Sequence, residues 1–91
     1  MSKDEFPAQL KMGLARIAFN QKKWAVAERI YGEILENYAK TSSAPEARYW
    51  MAAAEYQATH NHTVLSPAAK ELQEKWPQSV WALKALPWLN D

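Results

Sequence analysis

Two stretches of the chain resemble each other: residues 38–50 run Tyr38-Ala-Lys-Thr-Ser-Ser-Ala-Pro-Glu-Ala-Arg-Tyr-Trp50, and residues 76–88 run Trp76-Pro-Gln-Ser-Val-Trp-Ala-Leu-Lys-Ala-Leu-Pro-Trp88. At an offset of 38 residues, similar side chains coincide at five positions. These pairs are Tyr38 with Trp76, Thr41 with Ser79, Ala44 with Ala82, Ala47 with Ala85, and Trp50 with Trp88. Each stretch has the form of a helix end, a polar turn and the start of another helix. A period of this size predicts a helical-repeat architecture, in which each unit buries its apolar face against its neighbours.

Working outward, five segments show helical periodicity and none alternates as a strand does. The expected helices run from Phe6-Pro7 to near Asn20, from Trp24 to Tyr38, from Ser43 to about Thr59, from Ser66 to Trp76, and from Ser79 to about Leu86, where Pro87 ends the last one. The expected apolar stripes are Leu10, Leu14, Ile17 and Ala18; Ala27, Ile30, Tyr31, Ile34, Leu35 and Tyr38; Ala47, Trp50, Met51, Ala54 and Tyr56; and Ala68, Ala69, Leu72 and Trp76. The sequence therefore predicts an all-α domain.

Local motifs predict how these helices begin and which side chains pair. Ser43-Ala-Pro-Glu46 has the form of a capping box, with Ser43 as the N-cap and Glu46 bonding back to it. Ser66 and Ser79 are expected to cap the two later helices. Arg29 and Glu33, one turn apart, are expected to form an ion pair.

Composition limits the classes of function. Ninety-one residues make a single small domain, predicted to span 1–91. The net charge is +1 and the basic residues are spread among acids, so we expect no nucleic-acid partner. There is no cysteine, which excludes disulfides and thiolate metal sites, and no apolar run is long enough to insert in a membrane. These features predict a cytoplasmic location if the chain is complete, and leave the periplasm open if it is an excised domain.

The chain resembles the tetratricopeptide-repeat family, whose unit is a helix pair of about 34 residues with the pattern W-x2-L-G-x2-Y, A-x3-F, P. The matching residues are Leu14-Ala15, Lys23-Trp24 and Ala27 with Tyr31 in the first unit, and Met51-Ala52, Leu72 and Pro77 in the second. The departures are Lys11 and Arg48 for the opening Trp, Ala18 and Glu55 for the Tyr, Ala39 for the first Pro, and Pro67 inside the last helix of the second unit. The sequences of residues 44–50 and 76–79 are similar to those of a divergent bacterial subfamily found in cell-envelope assembly proteins, and to those of repeat tails on thioredoxin-like domains.

The resemblance implies a right-handed superhelical array of antiparallel helix pairs. The units would span about 6–40 and 43–77, followed by a short capping helix over about 79–86. It implies a non-catalytic scaffold that binds a protein or peptide in a groove lined by the first helix of each pair. Those positions are Gln9, Met12, Arg16, Phe19 and Asn20, then Glu46, Tyr49, Ala53, Tyr56 and Gln57. The alternative is that these side chains simply pack inside the domain. Met12, Arg16 and Trp50 replace the Lys and Asn residues with which chaperone-binding members hold a carboxylate, so that partner is not expected.

The C-terminal segment favours a second interpretation. It is apolar on more than one side of a short helix, at Val80, Trp81, Leu83, Leu86 and Trp88. Terminal elements of repeat arrays normally present a polar outer face. Either the segment folds back as a cap that buries Trp81 and Trp88, or it packs on a second copy or another domain. The second choice predicts a homodimer, or a dimerisation or docking segment of a larger protein.

Catalytic and metal-binding interpretations have little support. His60 and His62 are the only residues that suggest a metal site, and no further ligands follow at a suitable spacing. The serines are explained by helix capping, and the acids lie among basic neighbours on polar helix faces. We therefore predict no catalytic residues, no metal and no cofactor, and keep a metal-binding or enzymatic protein as a minor alternative.

Overall fold

The computed structural model describes residues 3–90, and of Asn90 only the backbone. This part of the chain forms five α-helices and no strand, so the predicted all-α class is confirmed. The helices are α1 (Glu5–Asn20), α2 (Trp24–Asn37), α3 (Ser43–Thr59), α4 (Leu65–Lys75) and α5 (Val80–Lys84), with 3₁₀ helices at His62–Val64 and Leu86–Asn90. None of the helices in residues 3–90 is long and apolar enough to cross a bilayer.

The helices pack mainly against their neighbours in the chain. Helix α1 packs on α2 and α3, while α3 also packs on α4 and α5. Helix α4 contacts both 3₁₀ helices and α5. Within the described residues, α1 does not approach α4 or α5, and α2 does not approach α4. Helix α1 and the C-terminal segment therefore lie at opposite ends of the domain.

The best-predicted element is α2. Its residues Ala27, Tyr31 and Ile34 are buried, and Ile34 is wholly inaccessible. They pack with alanines of both flanking helices, since the small Ala side chain lets helix backbones approach closely. The remaining stripe residues, Ile30, Leu35 and Tyr38, are half-buried against the same cluster. Helical periodicity alone predicted the buried face of α2 because two helices cover it on one side.

The predicted apolar stripe of α1 is mostly wrong. Leu10, Leu14 and Ile17 are more than half exposed, and Phe6 is 69% exposed. The face that packs on α2 and α3 is formed instead by Ala8, Ala15 and Ala18, with Met12 and Phe19 beside them. Two stripes thus run along α1 at helical spacing, and the one with small side chains was selected because it allows closer packing.

The two similar joints have matching backbone geometry. Tyr38 (φ −132°, ψ 38°) and Trp76 (φ −136°, ψ 57°) end α2 and α4. The hydroxyl of Thr41 donates to the Tyr38 carbonyl at 2.7 Å, and that of Ser79 donates to the Trp76 carbonyl at 2.8 Å. The offset of 38 residues therefore relates two joints with the same hydrogen-bonding pattern.

The start of the next helix differs between the joints. Ser79 caps α5 as predicted, accepting a hydrogen bond from the amide of Ala82 at 3.1 Å. The predicted capping box at Ser43 is wrong, because Ser43 is already helical and buried. The amide of Ser42, at the start of α3, instead donates to the Glu5 carboxylate of α1 at 2.8 Å and 3.0 Å. A carboxylate at a helix N-terminus also interacts favourably with the positive end of the helix dipole.

The turn before α4 corrects another predicted cap. Helix α4 begins at Leu65, so Ser66 lies inside it. The capping side chain is Asn61, whose Oδ1 accepts from the amide of Thr63 at 3.1 Å and starts a 3₁₀ turn. His60 ends α3 in the left-handed conformation at φ 56°. Because the 3₁₀ helix leads directly into α4, Ser66 lies inside the helix and cannot serve as its N-cap.

The C-terminal segment continues past the predicted stop at Pro87. After α5 the chain enters the 3₁₀ helix Leu86–Asn90, which packs on α4. This turn brings Trp88 over Tyr49 of α3, with ring centroids 4.7 Å apart in a stacked arrangement. Proline is compatible with this 3₁₀ geometry because its fixed φ is close to the helical value. Pro87 therefore shapes the fold-back rather than ending the helical structure.

Ion pairs join the helices. Glu33 pairs with Lys11 of α1 at 2.9 Å rather than with Arg29, so the predicted pair within α2 is wrong. Arg29 acts on Glu33 only as a more distant charge. Arg48 of α3 pairs with Glu71 of α4 at 2.6 Å. For Glu33, the charge on the neighbouring helix is therefore closer than the one a turn away on its own helix.

Candidate functional site

A row of six aromatic rings crosses the domain from the start of α2 to the C-terminal segment. Phe19, at the end of α1, makes edge-to-face contacts with Trp24 at 4.9 Å and with Trp50 at 5.4 Å. The row runs in the order Trp24, Phe19, Trp50 and Tyr49, and Tyr49 then contacts both C-terminal indoles, Trp81 and Trp88. All six side chains are half-buried, so each keeps part of its surface open. Partly exposed aromatic rings are the side chains most often found at the centre of protein interfaces.

A cavity of about 250 Å³ opens at one end of this row. Its walls are Phe19 and Trp50 on the apolar side and Arg16 and Asn20 on the polar side, with Tyr31 also lining it. The volume is below the roughly 300–1,000 Å³ of typical small-molecule sites. It matches a single side chain better than a whole cofactor. An aromatic wall beside a guanidinium and an amide can hold an apolar side chain next to a carboxylate or carbonyl oxygen.

A second cavity of about 340 Å³ lies beside the first, between α1 and the start of α3. It is lined by Gln9, Met12, Gly13, Arg16, Ser42, Ser43 and Glu46. Arg16 lines both cavities and its side chain is 69% exposed. Its Nη2 lies 3.7 Å from the Glu46 Oε2, which is a long and weak contact. Arg16 is therefore free to turn towards an incoming anion at little cost.

Tyr31 gives the first cavity a neutral polar group. Burial, and then the carboxylate of Glu46, raises the pKa of Tyr31, while Arg16 partly opposes them, so that the pKa rises to about 12. The phenol consequently stays protonated at neutral pH. It is a neutral phenol that can both donate and accept hydrogen bonds, and not a candidate base.

The ten predicted groove positions divide into two groups. Six residues line the two cavities: Gln9, Met12, Arg16, Phe19, Asn20 and Glu46. The other four, Tyr49, Ala53, Tyr56 and Gln57, line neither. Tyr49 packs against Trp81 and Trp88, and Tyr56 packs with Leu65 and Val64. The α1 positions and Glu46 therefore border open cavities, whereas the C-terminal segment covers Tyr49 and the start of α4 covers Tyr56.

The C-terminal residues also divide. Trp81 and Trp88 pack inward on a cluster that includes Ala69 and Leu72, as the capping interpretation expects. Val80, Leu83 and Leu86 remain 52%, 65% and 42% exposed. Lys84 lies over the Trp81 ring at 4.7 Å, which covers part of that ring with a cation. Both interpretations of this segment therefore account for some of its residues.

The two histidines lie on an exposed turn. His60 contacts the edge of Tyr56 at 6.4 Å, and His62 begins the first 3₁₀ helix. In residues 3–90, no group of three His, Asp or Glu side chains is arranged to hold a metal ion.

Trp50 lines the first cavity, although helical periodicity places it in the predicted core stripe of α3. Its indole lies on the border between core and surface, in contact with Phe19 and Trp81. The offset alignment contained a signal, since Trp50 corresponds to Trp88, a residue already marked as facing outward or capping. No protein-family model, curated protein or solved structure matches this chain.

Proposed function

We propose that this chain is a non-catalytic interaction module of the tetratricopeptide-repeat type, which binds a segment of another protein in the first cavity, the one walled by Phe19 and Trp50. In this proposal α1 with α2 and α3 with α4 are the two helix pairs, and α5 with the C-terminal 3₁₀ helix is the cap. The bound segment would place an apolar or aromatic side chain against Phe19 and Trp50. An acidic group next to it would pair with Arg16.

The order of helix contacts supports the array. In a stacked array, the first helix of each pair touches the second helix of its own unit and the first helix of the next unit, which is the pattern of α1 with α2 and α3. Helix α3 repeats the pattern with α4 and α5. A closed four-helix bundle would bring α1 against α4, and these two helices do not approach each other within the described residues.

One observation carries the choice of binding site: Arg16, Asn20, Phe19 and Trp50 converge on one cavity with an exposed guanidinium at its rim. Aromatic residues and Arg are the side chains that contribute most to binding at protein interfaces. The cavity has room for one side chain, which agrees with recognition of a short motif rather than a large ligand. Residues of three helices, α1, α2 and α3, build it, so the site exists only in the folded module.

A display library of random peptides tests this proposal with the chain as bait. We expect enrichment of peptides that carry an acidic residue next to a Leu, Phe or Trp. The chain has five Trp residues, so a ¹H–¹⁵N spectrum contains five indole signals, and binding should shift those of Trp50 and Trp24 most. Arg16→Gln should weaken the selected peptides about tenfold, or roughly 1.4 kcal/mol, since a charged anchor is lost.

Arg29→Gln is the matched control, because Arg29 is an exposed arginine on α2 that lines neither cavity. It should leave the affinity unchanged. Two outcomes would show that the first cavity is not the binding site. The selected peptides could bind the wild type and Arg16→Gln equally, or they could shift only the indole signals of Trp81 and Trp88.

The exposed C-terminal side chains Val80, Leu83 and Leu86 favour a second candidate function, a docking segment of a larger protein. In that case this surface, and not the cavity, carries the interaction. Leu83→Glu would then abolish association with the neighbouring domain or copy while leaving peptide binding intact. Light scattering of the wild-type chain and of Leu83→Glu distinguishes the two, since a docking surface predicts a change in particle mass.

A further inference from the structure

Among residues 3–90, helix α1 presents an apolar face that is largely exposed on the outer side of the domain. Phe6, Leu10, Leu14 and Ile17 are 69%, 57%, 57% and 55% exposed. They follow one another at intervals of four, four and three residues, so they form one stripe along α1. Gly13 lies at its edge, and nothing comes within 4 Å of the place a Cβ would occupy there. A contiguous stripe of this kind is typical of an interaction surface, whereas isolated exposed apolar residues are ordinary.

The charged groups of α1 leave this stripe neutral. Glu5 is bonded to Ser42, Lys11 to Glu33, and Arg16 lies near Glu46. All three partners belong to other parts of the same domain, so no charge of α1 projects from the stripe itself. Depletion of charge at the centre is the compositional feature that distinguishes interface cores from other surface.

We propose that two copies of this chain associate through this face, with their α1 helices antiparallel about a twofold axis. The stripe is nearly symmetric about its midpoint between Lys11 and Met12, so reversing the direction of the helix places Phe6 opposite Ile17 and Leu10 opposite Leu14. An isologous contact requires a surface that is complementary to itself in this way. A parallel pair would instead stack Phe6 on Phe6 and leave the two ends unmatched.

Charge and backbone access favour the same arrangement. Lys11 is the charged residue nearest the midpoint, and Glu33 of the same copy neutralises it. The Lys11 side chains of two copies would therefore not repel each other as unpaired charges. Gly13 allows the two backbones to approach near the crossing point, as small residues do in close helix pairs.

The area of the face predicts a modest affinity. With about 100 Å² for each whole apolar side chain, the exposed fractions amount to roughly 250 Å² on each copy. The polar neighbours along α1 would raise the total to about 1,000 Å², at the low end of specific interfaces. We therefore expect dimerisation in the micromolar range. This inference is independent of the proposed cavity, since it uses a different face of α1.

Sedimentation velocity of the full chain between about 1 µM and 1 mM tests the association. The wild type should shift from monomer to dimer across this range. Leu10→Glu should weaken the dimer at least about a hundredfold, since it places two carboxylates in the apolar seam. Leu83→Glu, an equally exposed leucine at the opposite end of the domain, is the matched control and should dimerise normally. At the lowest concentrations, where all three proteins are monomeric, circular dichroism should give the same melting temperature for both variants and the wild type.

The absence of cysteine from the chain allows a test of orientation. Phe6→Cys mixed with Ile17→Cys should form a disulfide-linked heterodimer on mild oxidation. Each variant alone should not, because residue 6 lies about 16 Å from its own copy in an antiparallel pair, and a disulfide needs Cα atoms within roughly 7 Å. A wild type that is monomeric at every concentration overturns the proposal. Disulfide formation by each cysteine variant on its own would also overturn it. The same holds if Leu83→Glu loses the dimer while Leu10→Glu keeps it, or if the wild type forms oligomers larger than dimers that both Glu variants disrupt.

Discussion

Arg48 of α3 donates a hydrogen bond of 2.6 Å from its Nε to Oε1 of Glu71 in α4, and its side chain is only 14% exposed. Lys75 holds the other carboxylate oxygen at 3.0 Å. Burial by itself raises the pKa of Glu71, but the hydrogen bonds and charges of Arg48 and Lys75 outweigh it, and the net pKa lies below the usual 4.5. This pair joins α3 to α4, the two helices of the second proposed unit.

The lowered pKa of Glu71 predicts a loss of stability in acid. A carboxyl whose pKa is lowered by folding stabilises the fold above its unfolded pKa, and that contribution disappears as the pH falls through the folded pKa. The free energy of unfolding should therefore decrease as the pH drops below about 4.5. Glu71→Gln should cost about 1–3 kcal/mol at neutral pH, since the mostly buried side chain of Arg48 loses a charged acceptor, and should show a flatter acid profile.

Urea unfolding at neutral pH and at about pH 3 measures both effects. Glu74→Gln, an exposed acid on the same helix, is the control and should change stability by less than about 0.5 kcal/mol. An acid profile for Glu71→Gln that matches the wild type would mean that other carboxyl groups cause the loss.

Glu28 is expected to show the opposite sign. Burial, and then the like charge of Glu55, raises the pKa of Glu28. A carboxyl with a raised pKa destabilises the fold above its unfolded pKa, and this destabilisation is relieved as the pH falls through the folded pKa. Glu28→Gln should therefore raise the melting temperature at neutral pH and lose its advantage in acid. Glu36→Gln, exposed on the same helix, provides the control; a lower melting temperature for Glu28→Gln would contradict the prediction.

The contact between Glu5 and Ser42 predicts a long-range capping effect. Glu5→Ala removes the acceptor of the Ser42 amide at the start of α3, and should lower the free energy of unfolding by about 1 kcal/mol, as loss of a helix cap does. Hydrogen exchange at the Ser42 amide should become faster, while exchange within α2 changes only with global stability. Gln9→Ala, an exposed change in α1, should affect neither quantity.

The core of α2 should be the most sensitive part of the molecule. Ile34→Ala and Tyr31→Ala each remove a buried side chain and should cost about 2–5 kcal/mol, measured by chemical denaturation. Glu36→Ala, two residues further along the same helix and exposed, should cost less than about 0.5 kcal/mol. Small and equal losses for all three would mean that the buried face of α2 is wrongly assigned.

Local sequence determined the positions of the helices and the face of α2. Apolar residues at helical spacing can be recognised from the sequence when only one such stripe exists, as in α2. The hydroxyl of Ser79 caps α5 as predicted because both partners lie within three residues. The similarity between residues 38–50 and 76–88 predicted two joints of the same form, and in the structure Thr41 and Ser79 make the same hydrogen bond at the two joints.

Tertiary structure decided every feature in which two local solutions competed. Helix α1 carries both an alanine stripe and a leucine stripe at helical spacing, and hydrophobicity favours the one that is exposed. Close packing of α1 on α2 and α3 selects the alanines, because small side chains let the backbones approach. Likewise, the packing of α1 beside α2 pairs Glu33 with Lys11 and not with Arg29.

The candidate site follows the same division. The sequence register placed Arg16, Phe19 and Asn20 on one face of α1, because their spacing is local. Only the packing of α3 beside α1 brought Trp50 to the same cavity, and only the fold-back of the C-terminal segment covered Tyr49. Spacing within a helix is set by backbone geometry and can be predicted from the sequence, whereas contacts between helices depend on which of several apolar faces packs most closely.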